Sequence, residues 1–346
     1  MVTARGFFKK NKGLPTKVGF IFAQIVSIYK RARAQARASR KNFFCALRSS
    51  FLAAMGARRI GGVPETRPMG ILAIQYRAVR DAPILIALNR EEQYGRQFSP
   101  PRIQSGRPRA VCGIDRKSGG TWAGVNQRGM FVAAINAPKR AVSYDPRSRG
   151  LLCKELLSCD SAEAALERAV SELSTGNYAG VNFLCVDQNG GGAVYGGDEI
   201  GVEALKPGLH ILTGSRLDDR EDERQEYARR LLTLHRLDSS VAFLAAASGA
   251  FAREPDAMGK HGVIVSEPGY GTVCSMLISL TERPQKSIMQ FANGSPNKVQ
   301  YEDISALLRQ VLSTDRAAQR KAKNKREREL ALDGLDSIDP DDVLDD

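Results

Sequence analysis

The stretch from residue 69 to residue 98 constrains the fold more than any other. Two apolar runs, at 71–76 and 84–88, flank a short polar turn centred on Arg80, Asp81 and Ala82. Their alternation and β-branched content predict strands, and the short connection predicts that they pair antiparallel. The second run does not close in a turn former. It ends in Asn89, Arg90, Glu91 and Glu92: an amide, a guanidinium and two carboxylates in succession. Charge at the mouth of an apolar strand is costly unless it is solvated or paired. Two readings stay open: a candidate site, or a solvated strand end closed by a surface ion pair.

The same patterning predicts further strands at 121–125, 130–135, 181–186, 193–195, 209–212 and 272–280. Residues 126–129 and 187–192 carry the Asn/Gly chemistry of hairpin turns. Helical spacing falls between the strands, at 149–158, 162–173, 219–235 and 239–248. Asp160 with Glu163 three residues on predicts a capping box at the start of the second helix. Strand pairs first, helices in the middle and strands at the end predict an α+β sandwich.

The formal net charge of +13 misleads about partners. Residues 1–68 hold 15 Lys and Arg against one acid, Glu65, a net of +14, so the rest of the chain sums to −1. Nothing in that near-neutral remainder points to nucleic acid. In the basic segment, the apolar run at 18–29 is too short to span a bilayer. A basic block follows it where a signal peptide would place a small-residue cleavage site. A membrane-surface arm is a minor alternative for this segment, and a nucleic-acid-binding arm a smaller one. From Arg316 the chain becomes highly charged and ends in an acidic stretch, which predicts a solvated helix fraying into disorder. The expected organisation is a basic extension at 1–68, one domain at 69–312 and a charged tail at 313–346.

Six Cys form no Cys-x-x-Cys pair and lie mostly in apolar runs. They predict reduced, buried thiols in a cytoplasmic protein. His210, His235 and His261 are scattered, so neither a metal nor a cofactor is expected. The Gly-rich pieces at 190–192 and 269–271 lack the remaining elements of phosphate loops and are taken as turns.

Further motifs recur in series. Tyr94, Arg96 and Pro100 follow the charged cluster. Gly119-Gly120-Thr121-Trp122 leads to Gly124 and Asn126 and contains the only Trp, and Asn136 closes the next strand. Then come Gly180-Val181-Asn182-Phe183, Thr213-Gly214-Ser215 and Tyr270-Gly271-Thr272. In order and over roughly residues 69–295, these resemble the NRDE family, also called the transport and Golgi organisation protein 2 family. Its members begin with Met-Cys, which aligns with Met69-Gly70. They carry Asn-Arg-Asp-Glu where this chain has Asn89 to Glu92. Because the family starts where Met69 stands, residues 1–68 are expected to lie outside native structure, as from a start codon placed too far upstream.

The resemblance implies an N-terminal-nucleophile-hydrolase-like, four-layer α+β sandwich of two stacked antiparallel sheets flanked by helices. In that chemistry the residue after the initiator Met supplies both a thiolate nucleophile and an α-amino base. The implied site comprises position 70, Arg90 beside the nucleophile, and Glu91 or Glu92 as orienting carboxylate. Asn136 and Asn182 are the implied oxyanion or positioning amides, each with a strand-end turn former as its plain alternative. Thr121, Trp122, Asn126, Tyr270 and Thr272 are the implied binding residues. Three departures stand out. Gly70 has no side chain to attack with, Val273 replaces the family's Arg after Tyr-Gly-Thr, and Glu91 is one methylene longer than the family's Asp.

Three functions compete. One is a catalytically silent member that keeps the pocket for a small or hydrophobic ligand, haem or lipid by family analogy alone. The second is an amidohydrolase or acyltransferase acting on C–N amide bonds, which requires Cys at position 70. The third is a structural or interaction protein whose charged cluster merely closes a strand. For the domain boundary, a chain that starts at Met69 is expected to keep the full chain's melting temperature. A loss of several kcal/mol would make the basic extension part of the fold.

Overall fold

The computed structural model describes residues 70–313. The expectations for 1–68, for Met69 and for 314–346 lie outside the described residues.

Two antiparallel sheets of seven strands each pack face to face. In the first sheet, β1 (Ile71–Tyr76) and β2 (Ile84–Gln93) pair through Tyr76↔Ile84 to Ile71↔Asn89, as the short turn requires. The second sheet is a meander in chain order: β3 (Phe98–Gln104), β4 (Ala110–Asp115), β5 (Ala123–Asn126), β6 (Phe131–Asn136), β7 (Val181–Val186), β8 (Gly191–Gly196) and β9 (Ile200–Ala204). The chain then returns to the first sheet. There β10 (Gly208–Leu212) flanks β1, and β12 (Tyr270–Leu280) pairs with the far side of β2. Short β11 (Ser266–Glu267) and β14 (Glu302–Asp303), with β13 (Ile288–Ala292), complete it.

Side-chain alternation decides the layering. Leu72, Ile74, Ile84, Ile86 and Leu88 of the first sheet meet Val111, Val125, Phe131 and Leu184 of the second in the central core. The opposite face of the second sheet buries Cys112, Val132, Phe183 and Cys185 under α1 (Arg149–Leu156) and α2 (Ala162–Leu173). The outer face of the first sheet buries Ile71, Ala73, Leu85 and Ala87 under α3 (Glu223–Thr233) and α4 (Ser240–Phe251). A final helical run occupies 305–313. The result is the expected four-layer α+β sandwich. Among the described residues no helix is long and apolar enough to cross a membrane.

The structure departs from the sequence expectations where local rules conflict. β2 runs on through the charged cluster to Gln93, because β12 pairs with it as far as Tyr270. β3 escapes detection because it contains Pro100 and Pro101, which a strand tolerates at an edge, and β3 is an edge strand. The cap of α2 is Ser161, whose Oγ accepts from the Ala164 amide at 3.2 Å, in place of the expected Asp160. Asp160 instead makes a surface ion pair with Arg128. The next amide, Ala162 N–H, donates at 2.8 Å to Asp187. On β12 the register slips between Thr272 and Cys274, leaving Val273 as an extra residue opposite β2.

The approach of α1 to the β4–β5 connection leaves no room for side chains. A Cβ on Gly120 would stand 2.2 Å from the Gly150 carbonyl carbon, whereas one on Gly95 meets nothing within 4 Å. Gly120→Ala is therefore expected to lower unfolding free energy by about 1–3 kcal/mol, as overpacking does. Gly95→Ala serves as the near-neutral control in the same urea titration.

Candidate functional site

Where β2 leaves the core it opens a cleft of about 350 Å³ between the two sheets. Gly70, Arg90, Glu91, Glu92, Thr121, Trp122 and Asn136 all border it. They arrive there by topology: Gly70 precedes β1, the charged cluster ends β2, Thr121 and Trp122 precede β5, and Asn136 ends β6.

Arg90 lies against the second sheet. Its guanidinium carbon sits 4.6 Å from the Trp122 ring centre and 5.4 Å from that of Phe98. Nη2 faces Glu92 at 3.3 Å and Asp115 at 3.7 Å. Nη1 is buried and has no partner. Arg96 closes the cluster, its Nε 2.7 Å from Asp115 and 3.5 Å from Glu92. Asp115 also turns the loop behind it, accepting from the backbone amides of Lys117 and Ser118.

Glu91 is enclosed on every side. Its Oε1 accepts from Arg224 of α3 at 2.7 Å and from the Thr272 hydroxyl at 3.1 Å. Oε2 has no partner. A Cβ built on Gly70 would stand 3.5 Å from that unpaired Oε2, 3.2 Å from the Asn89 carbonyl oxygen and 3.7 Å from Ile135. Burial lifts the Glu91 carboxyl above its ordinary value, against the opposing pull of Arg224 and Thr272. Asn136 is half-buried and its side chain makes no hydrogen bond within the described residues.

Other candidate residues lie elsewhere. Asn182 does not border the cleft. Its amide donates to the carbonyls of Thr213, Gly214 and Ser215 at 2.8–3.1 Å and pins the turn after β10. Asn126 donates to Leu157 and Cys159 carbonyls and accepts from the amides of Arg128 and Met130, so it holds a hairpin. In both, unpaired backbone groups outcompete a cavity for the amide. Thr272 lies behind Glu91 and borders a second, larger groove of about 1490 Å³. Tyr270 borders neither cavity, and burial, then Glu91 and Glu92, push its phenol up to about 12. Cys112 and Cys274 are no substitute nucleophiles. Burial raises Cys112 and lifts Cys274 to about 12, so neither presents a thiolate near neutrality.

The sequence reading missed Asp115, Arg149 and Arg224. Arg149 and Arg224 each sit in the first turn of a helix, where the macrodipole disfavours a cation. That local mismatch was the available signal.

A family model described as Transport and Golgi organisation 2 matches residues 69–291. The chain is 28% identical to the "Transport and Golgi organization protein 2 homolog" of Bos taurus over 144 residues, 39% of this chain and 51% of the relative. To the Homo sapiens homolog it is 28% identical over 107 residues, 30% of this chain and 38% of the relative. The chain thus spans about half or less of the length of the curated relatives it matches. Among solved structures, a mutant of conjugated bile acid hydrolase from Clostridium perfringens aligns at TM-score 0.38 and 13% identity, covering 69% of this chain and 93% of that one. A Caenorhabditis elegans N-acylethanolamine-hydrolyzing acid amidase ortholog aligns at 0.38 and 12%, covering 61% and 92%.

The raised Glu91 value has a consequence for stability. Folded Glu91 keeps its proton at pH values where the unfolded chain, near 4.5, has lost it. Its contribution is complete below 4.5 and falls as pH rises toward the folded value. Glu91→Gln is expected to remove that fall. The check is the difference in urea midpoint between parent and variant as pH rises from 4 to 8, and a constant difference would refute the assignment.

Proposed function

The chain belongs to the Transport and Golgi organisation 2 family, and from that premise we propose a ligand-binding member whose nucleophile position is empty of chemistry. The observation that carries this reading is the space around Gly70. An unpaired carboxyl oxygen, an unpaired guanidinium nitrogen and a free amide, from Glu91, Arg90 and Asn136, border one cleft with a residue that has no side chain. Such a set orients and stabilises; it does not attack. Removal of a nucleophile abolishes covalent catalysis while leaving binding groups in place. The ligand is a small or hydrophobic molecule that enters the cleft, and haem or lipid is suggested only by family analogy. The free, mostly buried thiols of the described residues support work in the cytoplasm.

A second reading keeps the same groups and adds a thiol. With Cys at position 70 and a free α-amine, the thiol proton passes to the amine as sulfur attacks an amide carbonyl carbon. The C–N bond breaks, the leaving amine takes the proton, and water hydrolyses the thioester. Asn136 would meet the oxyanion, with the Arg90 guanidinium behind it. That is an amidohydrolase, or an acyltransferase where another acceptor replaces water.

Gly70→Cys separates the two. The added Cβ is tight only against the Asn89 carbonyl, at 3.2 Å, so the cleft can accept it with a small shift. In a chain that starts at Met69 and loses that Met, the variant is expected to be acylated at residue 70 by an activated ester. The parent is expected to show no acylation. Turnover of amides by the parent, unaffected by blocking its N-terminus, would overturn the silent reading.

A further inference from the structure

The cleft carries more positive charge than its own carboxylates neutralise. Glu92 and Asp115 are committed to Arg90 and Arg96. Glu91 is committed to Arg224 and Thr272 through Oε1. Arg149 borders the cleft too, and its only hydrogen bond within the described residues is from Nη1 to the Gly180 carbonyl, at 2.9 Å. Among the described residues no carboxylate lies within ion-pair distance of it. Lys117, on the β4–β5 connection, stands at the rim, also without an ion pair among the described residues.

Two features make this a built site rather than stray charge. Arg149 is the first residue of α1, which has no acid in its first turn, and Ser148, Arg149 and Gly150 all face the cleft. A cation there opposes the helix dipole unless an anion sits beside both. Independently, Arg90 is only 7% exposed, borders the same cleft and leaves Nη1 with no partner. A buried donor without an acceptor is costly, and the unbalanced positive charge behind the wall favours an anion in the cleft. Aligned against Arg90, the Trp122 ring supplies an apolar wall, with Phe98 behind it.

We propose that the cleft seats a ligand bearing a carboxylate, recognised by Arg149 and the start of α1, with the buried Arg90 guanidinium behind them and Lys117 at the entrance. This rests on the ligand-binding reading above and specifies its headgroup. Guanidinium groups receive carboxylates through paired, charge-assisted hydrogen bonds, which a neutral amide of the same shape cannot match.

The test is calorimetric titration of the full chain with octanoate, with octanamide and with octyl phosphate. Octanoate is expected to bind at least about tenfold tighter than octanamide. Arg149→Met is expected to remove most of that preference with the melting temperature checked alongside. Because Arg149 also bonds Gly180, Lys117→Met on the exposed rim is the second variant, expected to reduce octanoate binding severalfold and octanamide binding not at all. Equal binding of octanoate and octanamide would overturn the carboxylate proposal while leaving the ligand-binding reading intact. Tighter binding of octyl phosphate would overturn it in favour of a phosphate headgroup. Failure of all three probes would overturn the proposal, and acylation of Gly70→Cys would then report separately on the reading beneath it.

Discussion

Arg90 against Trp122 is the contact on which the cleft depends. The central core holds the two sheets together mainly through apolar side chains packed without charge between the sheets. At the open end a single guanidinium from the first sheet meets Trp122, Phe98 and Asp115 from the second. A desolvated cation–π contact contributes on the order of 2 kcal/mol, and here it also has a fixed geometry. It sets where one sheet stops relative to the other, and so how wide the cleft stands.

That contact needs bare backbone beneath it. A Cβ on Gly113 of β4 would stand 2.2 Å from Trp122, so the indole lies over a position only glycine can occupy. The neighbouring Gly120 lets α1 approach until Thr121 N–H donates to the Gly150 carbonyl at 2.9 Å. Helix, loop and strand are thereby locked around the aromatic wall. From the opposite layer α3 delivers Arg224 to Glu91. Each helical layer brings one arginine from its first turn to this end of the sandwich: Arg224 pairs with Glu91, while Arg149 bonds the Gly180 carbonyl.

Much of this was readable in the sequence. The paired strands around residue 80 and the buried faces of β1 and β2 follow from period-two patterning, and the gathering of Gly70, Arg90, Thr121 and Asn136 is what the family resemblance implies. What could not be read is non-local. Asn182 and Asn136 look alike as strand-end amides, and only the fold decides that the first meets three carbonyls of a distant turn while the second meets open space. Arg149 and Arg224 have partners or neighbours 31 and 133 residues away, beyond the reach of any local rule. β3 was hidden because its prolines are legible as breakers until it is known to lie at an edge.

The extra residue in β12 has a chemical effect. In uninterrupted pairing from Cys274↔Arg90, the residue opposite Glu91 would be Val273. The slip instead brings Thr272 opposite Glu91, and the hydroxyl reaches Oε1. An aliphatic neighbour is exchanged for a hydrogen-bonding one with no substitution at the contact. Spacing along the strand, rather than the identity of its residues, writes the surroundings of the most deeply enclosed acid among the described residues. Loss of one residue from β12 would leave Arg90, Glu91 and Thr272 all present in the chain, yet rewire which of them speak to each other.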